Sequence, residues 1–178
     1  MVGVAAGIAV SNRRLPKKFW GLSILCAILP DIDVVTFKLG IPYGHFFGHR
    51  GFFHSLLFAF IVGFIVSAIF FSKERSSVKD RWFYFIFFSL VTASHGIFDA
   101  FTNGGLGIAL LSPFDNHRYF FWKTPISVSP ISPKVFLNRR TFDILANEFL
   151  WVWMPVLFLA LLGKYGIFRN DPKMSPSL

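Results

Sequence analysis

Three short polar segments interrupt an otherwise apolar chain. They are Pro30-Asp31-Ile32-Asp33, His49-Arg50-Gly51-Phe52-Phe53-His54 and Ser94-His95-Gly96-Ile97-Phe98-Asp99, and each lies beside an apolar run. Ionisable side chains next to a membrane-length apolar run are costly to place unless they bind or react with something. Imidazole and carboxylate groups without a thiolate suit zinc, manganese or iron. The three segments therefore predict a metal site formed by Asp31, Asp33, His49, His54, His95 and Asp99.

The sequence separation of these candidate ligands indicates which of them could bind the same ion. His95 and Asp99 are four residues apart, so in a helix they share one face and could bind one ion; the alternative is a buried His–Asp hydrogen bond. Asp31 and Asp33 are two apart, so one could be a ligand while the other orients a ligand from behind. A solvated pair at a helix end is the alternative for those two carboxylates.

The two histidines of the middle segment are five residues apart and do not share a helical face. Gly48 and Gly51 predict that His49 lies on a turn and that His54 lies on the first turn of the next helix. His49 is thus expected to be the better ligand, and His54 a ligand or a group that orients one. A structural or interfacial role is the alternative for each of them.

A divalent ion at this site, with zinc the first choice, would lower the pKa of a bound water and polarise a phosphoryl or carbonyl oxygen. Arg50 is the candidate for binding a substrate phosphate, since a guanidinium matches that geometry; an anchor to lipid headgroups is the alternative. Asp31, His54 and Glu148 are the catalytic candidates. A solvated carboxylate in the first helical turn is the alternative for Glu148.

The remaining signals are weaker. His45 and His117 are predicted to be surface residues in loops, and the single cysteine, Cys26, excludes an internal disulfide. Phosphate-binding glycine loops, dinucleotide fingerprints and serine-nucleophile motifs do not occur in the sequence.

Composition indicates what must position these side chains. Of the 178 residues, 54% are hydrophobic and only 15% charged, against about 25% charged in soluble domains. We expect one integral membrane domain over residues 1–178, an all-α polytopic helical bundle of four to five membrane or half-membrane helices. The expected spans are 1–10 (partial), 19–35, 55–71, 82–101 and 144–163, with a long irregular outer loop over 102–143.

Local features refine this arrangement. Residues 1–10 lack a basic leader and are interpreted as the tail of a helix, not a signal peptide. The alternation over Pro125–Ile131 predicts an extended hairpin or edge strand, and Pro155 is expected to kink the last helix.

Basic residues predict the orientation. Residues 13–18, 73–81 and the tail from 164 hold 4, 4 and 3 of the 18 Lys and Arg side chains. With those segments on the cytoplasmic side, the polar segments fall at the outer face. The net charge of +9 then fits membrane lipid as the partner, and direct nucleic-acid binding is not expected.

The polar segments also resemble the YdjM-type family, whose members are assigned by inference as LexA-binding, inner-membrane-associated, metal-dependent hydrolases. The resemblance extends to Leu111-Ser112-Pro113-Phe114, to Arg118-Tyr119-Phe120-Phe121-Trp122 and to Val128-Ser129-Pro130-Ile131, and covers nearly the whole chain. It implies a multi-pass protein of the bacterial inner membrane. The order of Asp33, His49, His95 and Asp99 is also similar, in spacing, to that of zinc phospholipases C and related nucleases.

One departure concerns the start of the chain. Family members usually carry a Thr-His pair just before the segment that matches residues 2–9, and no such histidine precedes Val2 here. Either the start is truncated or this member lacks one ligand.

Two hypotheses follow. The first is a membrane-embedded, zinc-type hydrolase of a phosphoester, with a phospholipid-like or small-molecule substrate. The second is a non-enzymatic membrane regulator or scaffold for a protein partner, in which the polar cluster is structural. A transporter is disfavoured because the polar residues gather at one end of the spans, not at mid-membrane.

Overall fold

The computed structural model describes residues 2–10, 15–72, 77–128 and 139–165, with the side chains of 139 and 140 not described. The regular secondary structure of this part of the chain is helical, and residues 101–128 are irregular with two isolated bridges. The α-helices are α1 (Val2–Ala9), α2 (Lys17–Ile28), α3 (Val35–Lys38), α4 (Leu56–Phe70), α5 (Val78–Ala100), α6 (Arg139–Glu148) and α7 (Met154–Tyr165). Short 3₁₀ turns cover Leu29–Val34 and Phe52–His54, and a π-helical segment, Phe149–Trp153, joins α6 to α7.

Three helical stretches are long and apolar enough to cross a membrane. Within the described ranges they are Lys17–Lys38, Val78–Ala100 and Thr141–Tyr165. Helix α4 is also apolar but has 15 residues, which is about 23 Å of helix against a hydrocarbon core of about 30 Å. The predicted class, an all-α membrane helical bundle, is confirmed. The observed stretches begin earlier than the predicted spans 82–101 and 144–163.

Aromatic side chains form the core at the end of the bundle where α4 ends and α5 begins. Phe19 of α2 is fully buried, with its ring centroid 4.5 Å from that of Phe87. Phe71 stacks on Tyr84 at 4.1 Å. Since α5 runs from this core to His95 and Asp99, the polar cluster occupies the opposite end of the bundle.

Small residues let the helices approach closely. A side chain at Gly63 of α4 would collide with Ser89 of α5, which explains why this pair packs so tightly. A side chain at Gly3 of α1 would likewise collide with the backbone of Ser23 in α2. Helix α1 thus packs against α2 and α7.

The structure differs in detail from the predictions for Pro125–Ile131 and for Pro155. Instead of a hairpin, the described part of Pro125–Ile131 shows a single parallel bridge from Ile126 to Thr102; residues 129–131 lie outside the described part. The distortion expected at Pro155 takes the form of the π-helical segment that directly precedes it. A proline has no N–H to donate, and wider winding accommodates that loss.

The prediction of orientation depends partly on basic segments outside the described part of the chain. Residues 13–14 and 73–76, and the tail from 166 onward, lie outside the described ranges.

Candidate metal centre

Asp33 is the carboxylate behind two of the imidazole rings. The 3₁₀ turn after Pro30 buries Asp33, which is 1% exposed. Its Oδ1 accepts a hydrogen bond from Nδ1 of His49 at 2.6 Å, and its Oδ2 accepts the backbone N–H of Arg50 at 3.0 Å. Nδ1 of His54 also lies 3.0 Å from Oδ2. One buried carboxylate therefore orients the whole His49–His54 segment.

The His49–His54 segment is a compact turn fixed from outside. Arg50 has a φ of +63°, a left-handed conformation that is strained for a residue with a side chain. Arg118 donates from Nη1 to the carbonyl of His49 and from Nη2 to that of Tyr43, each at 2.9 Å. Ser55 ends the turn and caps α4, since its Oγ accepts the N–H of Phe58 at 3.1 Å.

Helix α5 supplies the third imidazole and a further carboxylate. Nδ1 of His95 donates to the carbonyl of Ala27 in α2 at 2.8 Å. A Cβ at Gly96 would lie 2.5 Å from the carbonyl oxygen of His54, so the absence of a side chain there lets α5 reach the His54 turn. Because His95 and Asp99 are four residues apart, both face the same point.

The Nε2 atoms of His54 and His95 converge on two carboxylates. Nε2 of His54 lies 3.8 Å from Oδ1 of Asp31 and 3.4 Å from Oδ2 of Asp99. Nε2 of His95 lies 3.2 Å from the same Asp31 oxygen and 3.9 Å from the same Asp99 oxygen. Two groups with ligand atoms within 4.8 Å of one another result: Asp31, His49, His54 and His54, His95, Asp99. Together they could hold a metal ion.

The side chains of His54, His95, Asp31 and Asp99 form a set of donors that suits a cation. Both Nε2 atoms are buried and make no aligned hydrogen bond, although carboxylate oxygens lie within 4 Å of them. A buried polar atom left without a partner costs about 1–3 kcal/mol. His95 carries its proton on Nδ1 to donate to a carbonyl, so its Nε2 lone pair is available to a metal. A set of two imidazole nitrogens and two carboxylate oxygens suits zinc, manganese or iron.

The electrostatics favour positive charge at the same point. Burial by itself lowers the pKa of His54, but the nearby carboxylates of Asp31, Asp33 and Asp99 raise it, with a net result of about 10. The carboxylates thus stabilise a proton on this buried imidazole. A metal cation bound by Nε2 would meet the same carboxylates in place of that proton.

Arg50 points inward. It is 4% exposed, its Nη1 donates to the carbonyl of Gly104 at 2.6 Å, and its Nε lies 3.2 Å from Oδ2 of Asp99. Burial of the guanidinium within the protein does not favour the alternative interpretation of Arg50 as a surface anchor to lipid headgroups. The side chain instead borders a cavity beside the candidate ligands.

This cavity has a volume of about 730 Å³ and a lining of mixed character. Its polar lining residues include Asp31, His49, Arg50, His95 and Asp99. Its apolar lining residues include Ile28, Val34, Phe98, Val128, Val152 and Trp153. Glu148 also lines it, so the last of the catalytic candidates faces the same space as the cluster.

Several contributors were not identified from the sequence. Arg118 and Tyr43 fix the turn, the Ala27 carbonyl orients His95, and Gly105, with a φ of +84°, lies against Arg50 and Tyr43. Of these, Arg118 and Gly105 belong to stretches of the sequence that resemble the family, but the resemblance gave them no role. His45 and His117 are exposed, as predicted.

Comparisons with known proteins place the chain. The family described as YdjM inner membrane protein matches residues 1–171. The chain belongs to this family. It is also 33% identical over 158 residues to the inner membrane protein YbcI of Escherichia coli (strain K12), an alignment that covers 89% of this chain and 90% of YbcI. No solved structure matches. The family and the candidate spans identify an inner membrane protein, which contacts membrane lipid.

Proposed function

We propose that the chain is a metal-dependent hydrolase of the inner membrane that cleaves a phosphoester in a phospholipid-like substrate. The observation that carries this proposal is the convergence of two imidazole nitrogens that make no aligned hydrogen bond and two carboxylates beside a cavity that also has apolar lining residues. An amphiphilic molecule would match this mixed lining, with its polar group at the cluster.

The proposed ion, with zinc the first choice, is held by His54, His95, Asp31 and Asp99. The Asp33 carboxylate lies against Nδ1 of His54, and the Ala27 carbonyl accepts from Nδ1 of His95. These two contacts leave the Nε2 atom of each ring facing the ion. His49 belongs to the neighbouring group with Asp31 and His54 and completes the set of candidate ligands. A divalent ion here would supply a Lewis acid for a phosphoryl oxygen and an activated water.

The chain's other polar groups have distinct proposed roles. Arg50 binds a phosphate oxygen from its position on the cavity wall, and its contacts with Gly104 and Asp99 hold the guanidinium in place. The half-exposed Asp31 and the cavity-lining Glu148 are the candidates for accepting or donating the proton of the reaction. His54 is more deeply buried, which favours a ligand role for it.

The geometry supports a substrate drawn from the membrane. The apolar lining residues include Val152 and Trp153, which belong to the candidate span Thr141–Tyr165. A substrate in the bilayer could therefore reach the cavity with its hydrocarbon part beside this span. We further propose a multi-pass topology with the cluster on the extracytoplasmic side, as the clustering of basic residues in segments 13–18, 73–81 and from 164 supports.

Elemental analysis of the detergent-purified protein, paired with a phospholipid hydrolysis assay, tests the proposal. We expect a bound divalent metal close to one equivalent, and its loss together with the activity in His95→Ala and Asp99→Ala. The matched control is His117→Ala, which removes an exposed histidine and should retain both. Absence of metal from the folded wild-type protein, or metal and activity that survive His95→Ala, would contradict the proposal.

A non-enzymatic regulator or scaffold is the second candidate. It is favoured by one observation: Asp33 and Arg50 already tie α5, the turn after α2 and the His49–His54 segment together. In that case the same substitutions lower the melting temperature of the protein but remove no hydrolysis, because none occurs in the wild type.

A further inference from the structure

Large apolar side chains project outward from the loop that covers the polar end of the bundle. Trp122 is 87% exposed and Phe114 86% exposed. Leu111 and Phe120 are exposed as well, and Lys123 lies over the Trp122 ring with its Nζ 4.9 Å from the centroid. We call Leu111, Phe114, Phe120, Trp122 and Lys123 the aromatic collar. Such a group of apolar side chains is unfavourable in water and marks an interaction surface.

Two sets of hydrogen bonds fix the height of this loop relative to the membrane-spanning stretches. The N–H of Phe121 donates to the carbonyl of Ala100 at 2.9 Å, and the Phe121 ring stacks on Phe101 at 4.3 Å. Ala100 is the last residue of the candidate span Val78–Ala100. Trp122, the next residue along, therefore lies at the level where that span ends.

The second connection runs to the other side of the loop. Nδ2 of Asn147 donates to the carbonyl of Pro125 at 3.0 Å, and its Oδ1 accepts the N–H of Ser127 at 2.7 Å. Asn147 lies six residues inside the candidate span Thr141–Tyr165, which is about 9 Å along a helix. The loop is thus attached at the boundary of one span and inside the boundary of another, not far out in the aqueous phase.

Other residues at this level have the same character. Phe142, at the start of the Thr141–Tyr165 stretch, is 81% exposed, and Leu39, directly after the Lys17–Lys38 stretch, is 71% exposed. Lys38 ends that stretch and is exposed beside Leu39. Tryptophan and lysine at span ends are typical of the headgroup region, where a ring can contact acyl chains and an ammonium can contact phosphate.

We propose that the aromatic collar lies in the interfacial layer of the bilayer, with its rings among the lipid ester groups and Lys123 on a lipid phosphate. The partner is the lipid itself, chosen because a lysine lies over one of the exposed rings and because the loop is tied to two candidate spans. The surface holds the loop at the membrane, so the cavity beside it opens at the headgroup level. This placement does not depend on the proposed hydrolase.

Spin labelling of the full chain in vesicles tests the collar. In a Cys26→Ser background, which removes the only native cysteine, a nitroxide is attached at Trp122→Cys or, separately, at Phe114→Cys. The matched control is His117→Cys, an exposed polar position on the same loop. The vesicles contain phosphatidylcholine, with and without phosphatidylglycerol. Oxygen, which concentrates in the bilayer, and a water-soluble nickel chelate serve as the two relaxing agents.

The expected result is a ratio of oxygen to nickel accessibility several-fold higher at positions 122 and 114 than at 117. Adding phosphatidylglycerol should raise the ratio at 122, and Lys123→Gln should remove that increase. Equal accessibility to the nickel chelate at all three positions would place the collar in water and overturn the proposal. Protection from both agents at 122 and 114 would also overturn it, because protein, a second copy included, would then cover the surface.

Discussion

Replacing Asp33 by asparagine tests the proposed role of this buried carboxylate. Oδ1 of Asp33 accepts from His49, and Oδ2 accepts from the Arg50 backbone and lies near Nδ1 of His54. An amide of the same shape has one acceptor oxygen, so its NH₂ group must face another donor. Asp33→Asn should therefore release at least one of the two imidazole rings from its orientation.

The structure sets the size of the effect. Loss of one partner that orients a metal ligand typically costs about 10–100-fold in affinity. Because Asp33 serves both His49 and His54, we expect the upper end, about 100-fold, or roughly 2.7 kcal/mol of binding free energy. A buried donor left unpaired should also lower the free energy of unfolding by about 1–3 kcal/mol.

The assay is zinc competition against a chromogenic chelator on detergent-purified protein, with thermal unfolding of the metal-free protein measured in parallel. The matched control is Asp115→Asn, which removes a carboxylate that accepts from Tyr119 and from the His117 N–H, away from the cluster. Wild-type zinc affinity in a folded Asp33→Asn variant would refute the reasoning. A similar loss of affinity in Asp115→Asn would show that the effect is not specific to the cluster.

Three further predictions follow from the same geometry. Gly96→Ala should lower the free energy of unfolding by about 1–3 kcal/mol, since its Cβ would meet the His54 carbonyl, whereas Gly21→Ala, where no atom lies within 4 Å, should be neutral in thermal melts. Zinc affinity should rise with pH, by about tenfold per unit if one proton leaves His54 on binding; titration at several pH values measures this slope, and a flat profile contradicts it. Arg118→Lys should lower the melting temperature and weaken zinc binding several-fold. The reason is that an ammonium cannot span the His49 and Tyr43 carbonyls as the guanidinium fork does. Lys123→Met is the control, and equal effects of the two substitutions would refute the role of Arg118.

The helical membrane class was predictable because it rests on local properties. Runs such as 55–71 and 82–101 contain too many apolar residues for a soluble domain of this length, and they recur between polar segments. Their ends were harder to predict. Capping by Ser55 and Ser77 sets where α4 and α5 begin, and a hydropathy pattern does not report such hydrogen bonds.

Sequence alone determined which residues could form the candidate site. Polar side chains beside apolar runs are rare enough that three such segments indicate a shared site, and the four-residue spacing of His95 and Asp99 follows from helix geometry. Their grouping was predictable because each segment lies beside one end of an apolar run, and alternating spans bring those ends to the same side of the bundle.

Only the tertiary structure decided where each of these residues lies. Asp31 and Asp33 are chemically identical and two positions apart, yet Asp33 is buried behind the imidazoles while the side chain of Asp31 is 50% exposed and faces Nε2 of His95. The burial of Arg50 likewise depends on contacts with Gly104 and Asp99, about fifty residues along the chain. Positions of this kind come from long-range contacts. These contacts depend on how the helices pack and leave no periodic trace in the local sequence.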